Sequence, residues 1–276
     1  MAGSPLPRTP SASKHQVDLH REPGYWRLSM APLHILAFLL PLIIVYEIGS
    51  ILYLQNSTGD MRTVSAWRML SRFFDVFGAS SFHLPAITLV VVLLLWHVLN
   101  RDPWRIRPGV LIGMALESCV LMIPLLVLGL ILDSKSRSDG LIALQQSQVD
   151  IRAFSWQERL TLSIGAGLYE ELVFRLVLIT AVHTVLCDFM KVAKTTSAII
   201  ACVVSALAFA FYHDVSLAGL RSGTNISSAI FLTAAGLYFG GLFLVRGFGI
   251  VVATHALYDI VVLVVITRGA PSAGTH

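Results

Sequence analysis

Charge is what this sequence has least of. Only 13% of its 276 residues are Asp, Glu, Lys or Arg, about half the share usual in a soluble domain. Hydrophobic residues make up 55%, and the mean hydropathy is +0.75, which excludes a water-soluble globule. Strict apolar/polar alternation is also missing, which excludes the strands of a membrane barrel. Cysteine is scarce: Cys119, Cys187 and Cys202 lie in or at the edge of apolar runs with no CxxC spacing. They are expected to be small buried core residues rather than metal ligands or a disulfide. No Lys/Arg cluster is interleaved with aromatics, so no nucleic-acid partner is indicated. No apolar stretch near the start has the form of a cleaved signal peptide, and no internal repeat stands out.

What is present is a series of continuous apolar runs, each long enough to be read as a transmembrane helix. Seven are expected, at about 31–54, 81–99, 109–132, 160–186, 196–217, 229–245 and 248–267. The fold class is therefore all-α, a polytopic transmembrane helix bundle with one or two interfacial helices. The first interfacial candidate is "MRTVSAWRMLSRFFDVF" (61–77), whose apolar residues share one helical face. The second is "LIALQQSQVDIRAFSWQERL", leading into the fourth span. Residues 1–27, rich in Pro, Ser and charge, read as a disordered tail, 28–268 as the bundle, and 269–276 as a short C-terminal tail. Placing Arg8, Lys14, Arg21 and Arg27, then Arg101, Arg105 and Arg107, then Lys191, Lys194 and Arg246 on one side puts the N-terminus in the cytoplasm. The membrane is read as the plasma (inner) membrane.

Against this apolar background, "GLYEELVFRLVLIT" (167–180) stands out, with Glu170, Glu171 and Arg175 at mid-span. Each such charge costs about 2.5–3.5 kcal/mol on insertion scales. On a helix, Glu171 and Arg175 are four residues apart on one face with the glutamate first, the better order for a pair. Glu170 lies roughly 100° round the helix with no local partner, and is free to accept a proton. "FAFYHD" places His213 four residues after Phe209, and "THALYD" places Asp259 four after His255, so that imidazole and carboxylate share a face. Asp259 is expected to orient His255. Polar groups inside a membrane usually face one another or a wet cavity, so one shared site accounts for all six. Glu47 and Glu117 have no partner at motif spacing and are expected to snorkel or pack. His34, His83 and His97, near span ends, are expected at the interface. Gly236, Gly240 and Gly241 form a small-residue face suited to close helix packing.

"EELVFR", "FAFYH" and "HALYD" match, in order and on separate late helices, the EExxxR, FxxxH and Hxxx(N/D) motifs. Over about 160–267 the chain thus resembles the CPBP family of intramembrane CAAX prenyl proteases and their bacteriocin-processing or immunity-type relatives. The resemblance implies a membrane endopeptidase acting on a hydrophobic or lipidated, CAAX-like peptide at the bilayer. It implies Glu170 as the base that activates water, with His213 assisting. Glu171 and Arg175 would hold the geometry, and His255, with Asp259, would stabilise the oxyanion. Asparagine stands in well-studied relatives where this chain has Asp259, and an ionised aspartate cannot donate a hydrogen bond. The family has also been described as metalloendopeptidases; Zn2+ on two histidines and carboxylates is the alternative cofactor, although no HExxH is present. Two other functions compete: a non-catalytic scaffold or immunity-type factor, and a proton- or ion-coupled transporter.

Overall fold

The computed structural model describes residues 24–54, 65–76, 83–133, 154–213 and 226–266, and every regular element among them is helical. A short α1 (Tyr25–Ser29) leads into α2 (Pro32–Tyr53), followed by α3 (Ser65–Val76) and α4 (Leu84–Asn100). Next come α5 (Pro108–Leu121) and α6 (Ile123–Asp133), which together form one span. The last four are α7 (Trp156–Phe189), α8 (Lys194–Tyr212), α9 (Ile226–Arg246) and α10 (Phe248–Ile266). Among the described residues, six spans are long and apolar enough to cross a membrane, and α4, at 17 residues, is a shorter apolar helix in the place of the remaining expected one. The chain is an integral, multi-pass membrane protein.

Local chemistry sets the ends of these helices. Ser155 and Glu158 form a capping box: the serine hydroxyl accepts from the Glu158 N–H at 3.3 Å, and the Glu158 carboxylate accepts from the Ser155 N–H at 2.6 Å. This begins α7 at Trp156, so the described part of the second interfacial candidate is continuous with the span; residues 141–153 lie outside the described residues. The third span is broken at Met122, just before Pro124, and the Tyr238 hydroxyl donates to the Leu121 carbonyl there at 2.7 Å. Helix α3 is amphipathic as expected: Trp67 and Leu70 pack on the core, while Phe73 is 57% exposed. The tail assigned to 1–27 overlaps α1, and residues before Gly24 and after Ile266 lie outside the described residues.

Helix α7 packs against α2 and α10, α8 against α9, and α10 also against α5. Helix α10 is the most enclosed span, with 72% of its central window buried against 17–39% in the others. Gly236 lies against Ala206 and Gly240 against Cys202, whereas nothing approaches Gly241.

Several sequence expectations are corrected. Cys119 is exposed, and Cys187 and Cys202 are half-buried free thiols. His34 and His97 are buried inside the protein rather than placed at the interface. Glu47 lies 2.5 Å from the His83 ring, and Glu117 is paired with Arg246, which is itself only 3% exposed. Arg246 is therefore not a loop charge.

Candidate active site

The six polar residues converge through three features of the backbone. First, Gly167 lets α7 and α10 touch: a Cβ there would stand 2.8 Å from the Ala256 backbone nitrogen and the Val252 carbonyl. That contact lies one turn before Glu170 and beside His255. Second, both helices widen to π-helical turns directly after their acidic residues, at Leu172–Ile179 and Ile260–Ile266, a device common at functional sites. Widened turns leave carbonyls to be satisfied from elsewhere: Ser205 donates to Phe174 at 2.7 Å and Arg159 to Leu263 at 3.2 Å.

Third, span lengths resolve the depths of the histidines. From Glu170 to Phe189 is roughly 28 Å of helix, and α8 returns over about the same length to His213, so the two are level. His255 lies only about 10 Å beyond the start of α10. The α9–α10 turn therefore sits nearer the site than the α7–α8 turn. The bounds agree with this: α8 ends at Tyr212 and α10 begins at Phe248.

Glu171 and Arg175 are completely buried, with Oε1 3.0 Å from Nη1. Glu171 Oε1 also accepts from His255 Nδ1 at 2.7 Å. Glu171 is thus the carboxylate nearest the ring, and Asp259 Oδ2 stands 3.6 Å from its other nitrogen, Nε2, so two carboxylates flank His255. The Arg175 guanidinium lies over the Phe209 ring, 4.4 Å from its centroid, and 5.4 Å from that of Phe239. Such stacking contributes about 0.5–2 kcal/mol. Phe239 stacks on His255 from the other side, with ring centroids 4.6 Å apart.

Glu170, unlike Glu171, opens on a cavity. Its Oε2 has no hydrogen-bond partner among the described residues. It faces His213 Nε2 at 3.5 Å and His255 Nε2 at 3.9 Å. His213 Nδ1 donates to the Phe209 carbonyl at 2.9 Å, because a carbonyl can only accept. Nε2 is then the nitrogen turned towards Glu170. Glu170, His213, His255 and Asp259 line one cavity, whose other walls include Phe209, Phe231, Phe239, Tyr258 and Leu125. Glu171 and Arg175 are not among its lining residues and stand behind the wall.

All six expected residues therefore come together, across α7, α8 and α10. Sequence reasoning missed Phe239 and Leu125, which carry no polar signal. It noted Phe209 only as a spacing mark, although its ring and carbonyl hold Arg175 and His213. Among the described residues, no three His, Cys, Asp or Glu side chains are grouped closely enough to hold a metal ion.

Residues 153–261 match the family model described as type II CAAX prenyl endopeptidase Rce1-like. No curated protein and no solved structure matches the chain. Over residues 153–261, which hold all six site residues, the chain is similar to the Rce1-like type II CAAX prenyl endopeptidase family.

Proposed function

We propose that the protein is an intramembrane endopeptidase in which Glu170 activates water against a peptide bond presented at the bilayer. The observation that carries this reading is the unpartnered Glu170 Oε2, facing two imidazole nitrogens on the wall of one cavity. A buried carboxylate oxygen left without a donor is unfavourable by about 1–3 kcal/mol or more, so it fits a group kept for a reactant.

In this mechanism a water sits between Glu170 and His213. Glu170 takes its proton as the oxygen attacks the scissile carbonyl carbon, and the C=O π electrons move onto the carbonyl oxygen. His213 Nε2 accepts the water's other hydrogen as a hydrogen bond and aims the attacking lone pair. His255 carries protons on both nitrogens, Nδ1–H to Glu171 and Nε2–H to the oxyanion. When the tetrahedral intermediate collapses, the C–N bond breaks and Glu170 returns its proton to the leaving amine. Asp259, 3.6 Å from His255 Nε2, supports the imidazolium by its charge rather than donating to the oxyanion. Glu171 and Arg175, behind the wall, hold the frame. Lost oxyanion donors typically lower rates about 10²–10³-fold.

The substrate class is a hydrophobic or lipidated, CAAX-like peptide, supported by the family and by the aromatic and aliphatic cavity walls. The distribution of Lys and Arg supports a cytoplasmic N-terminus. The test is a comparison of membrane peptide termini between cells carrying the wild type and cells carrying Glu170→Gln. A set of cleaved termini lost in the variant is expected and would identify the substrate. Identical termini in both would overturn the reading in favour of a non-catalytic scaffold.

A further inference from the structure

A second polar cluster lies outside the site. Arg246 ends α9, and its Nε and Nη2 meet Glu117 Oε1 and Oε2 on α5 at 2.5 and 2.6 Å. Arg246 Nη2 also donates to Ser29 at 3.1 Å, and the Tyr25 hydroxyl donates to Glu117 at 2.5 Å. The Trp26 ring closes over the guanidinium, 3.5 Å from its carbon. Burial and the neighbouring carboxylate push the Tyr25 phenol up to about 12, so it remains a donor at any physiological pH. A Cβ on Gly113 would meet the Tyr25 ring at 2.8 Å, so α5 is shaped to receive α1.

This cluster is joined to α10 by a single residue. Gly247 follows Arg246 with φ +80°, a conformation that favours glycine, and Met30 packs against it. Beyond it, Ile250 is fully buried against Val110 and Met114 of α5. An uninterrupted α-helical segment, Phe248–Asp259, then carries His255 and Asp259. Near the far end, Arg159 holds the Leu263 carbonyl. An arginine at a span end can usually reach water or head groups; this one turns inward and is closed off by α1 and α5. Buried ion pairs are poor sources of stability, and their best-attested use is to fix register.

We infer that Glu117, Arg246 and α1 form a positioning clamp that sets the depth of α10, and through it the stand of His255 and Asp259 against Glu170. Its kinetic consequence rests on the endopeptidase reading; its geometric consequence does not. Replacing both charges, as Glu117→Gln/Arg246→Gln, removes the clamp without leaving an uncompensated charge, and Tyr25→Phe loosens it more gently. In protein with Cys119, Cys187 and Cys202 replaced by serine, spin labels at the exposed positions Val177 and Val265 report the distance between the middle of α7 and the end of α10. The double variant is expected to shift or broaden that distance. Turnover of a farnesylated CAAX peptide is expected to fall roughly 10- to 100-fold at unchanged KM, with Tyr25→Phe moving the same way by less. An unchanged distance distribution in the folded double variant would overturn the clamp, as would turnover falling only with the folded fraction. If the wild type cleaves nothing, the endopeptidase reading fails while the label distance still decides the clamp.

Discussion

The bundle holds two buried clusters of opposite charge, and they are built on opposite rules. At Glu117 and Arg246 both carboxylate oxygens are engaged by the guanidinium, whose face lies against the Trp26 ring. At Glu170 and Glu171 the pairing is deliberately incomplete: one carboxylate is held by Arg175 and His255, while its neighbour keeps an oxygen without a hydrogen bond on a cavity wall. A closed pair fixes position, whereas an open carboxylate beside a cavity can accept a proton from something that enters. What separates the two clusters is an unbonded carboxylate oxygen on a cavity wall.

The same kind of substitution should therefore read out differently in each. Glu170→Gln is expected to lower turnover of a farnesylated CAAX peptide by roughly 10²–10⁴-fold, the usual range for a general base. Its detergent melting should hold or rise, because a buried unpaired charge has been removed. Arg246→Gln alone should do the reverse in kind. It leaves Glu117 without its cation and costs about 3–5 kcal/mol of stability, measured by thermal or denaturant unfolding. A stability loss at Glu170 as large as that at Arg246 would erase the distinction.

Gly167→Ala sharpens the comparison from the packing side. The added methyl meets backbone of α10 and cannot be accommodated by a side-chain rotation. A stability loss of about 1–3 kcal/mol is expected from overpacking, together with reduced turnover, because His255 is next to the displaced Ala256. Full activity in a folded Gly167→Ala protein would show that the α7–α10 contact does not set the site.

The smallest effect concerns Tyr25. Its phenol is raised from 10.0 to about 12 by burial and Glu117, so folding favours the neutral form. That contribution is fully present below pH 10 and is lost as pH rises through about 12. Melting of the wild type relative to Tyr25→Phe should therefore decline across that window. A flat difference would mean that the Tyr25–Glu117 bond adds nothing to the clamp.

Much of the site was legible in the sequence because its residues sit at helical spacing: Glu171 with Arg175, Phe209 with His213, His255 with Asp259. The spans were legible from continuous apolar runs. The clamp was not, since Glu117 and Arg246 are 129 residues apart and each looked like an isolated charge near a span end. Cys119 was misplaced because an all-apolar helix gives no sign of which face meets lipid, and His34 and His97 for the same reason. The π-helical turns also left no mark, because widening by one residue changes no residue type. It does change which partner each side chain meets, and so the assignment of Glu171, rather than Asp259, as the nearest carboxylate to His255 waited on the fold.

The central claim is that Glu170 and His213 act on one water in one cavity. A double-mutant cycle tests it directly, using purified Glu170→Gln, His213→Asn and the combined variant against the same CAAX peptide. Groups that work as a unit are strongly non-additive. The combined variant is expected to be within about threefold of Glu170→Gln alone. Losses that multiply across the two sites would contradict the account and separate His213 from the chemistry of Glu170.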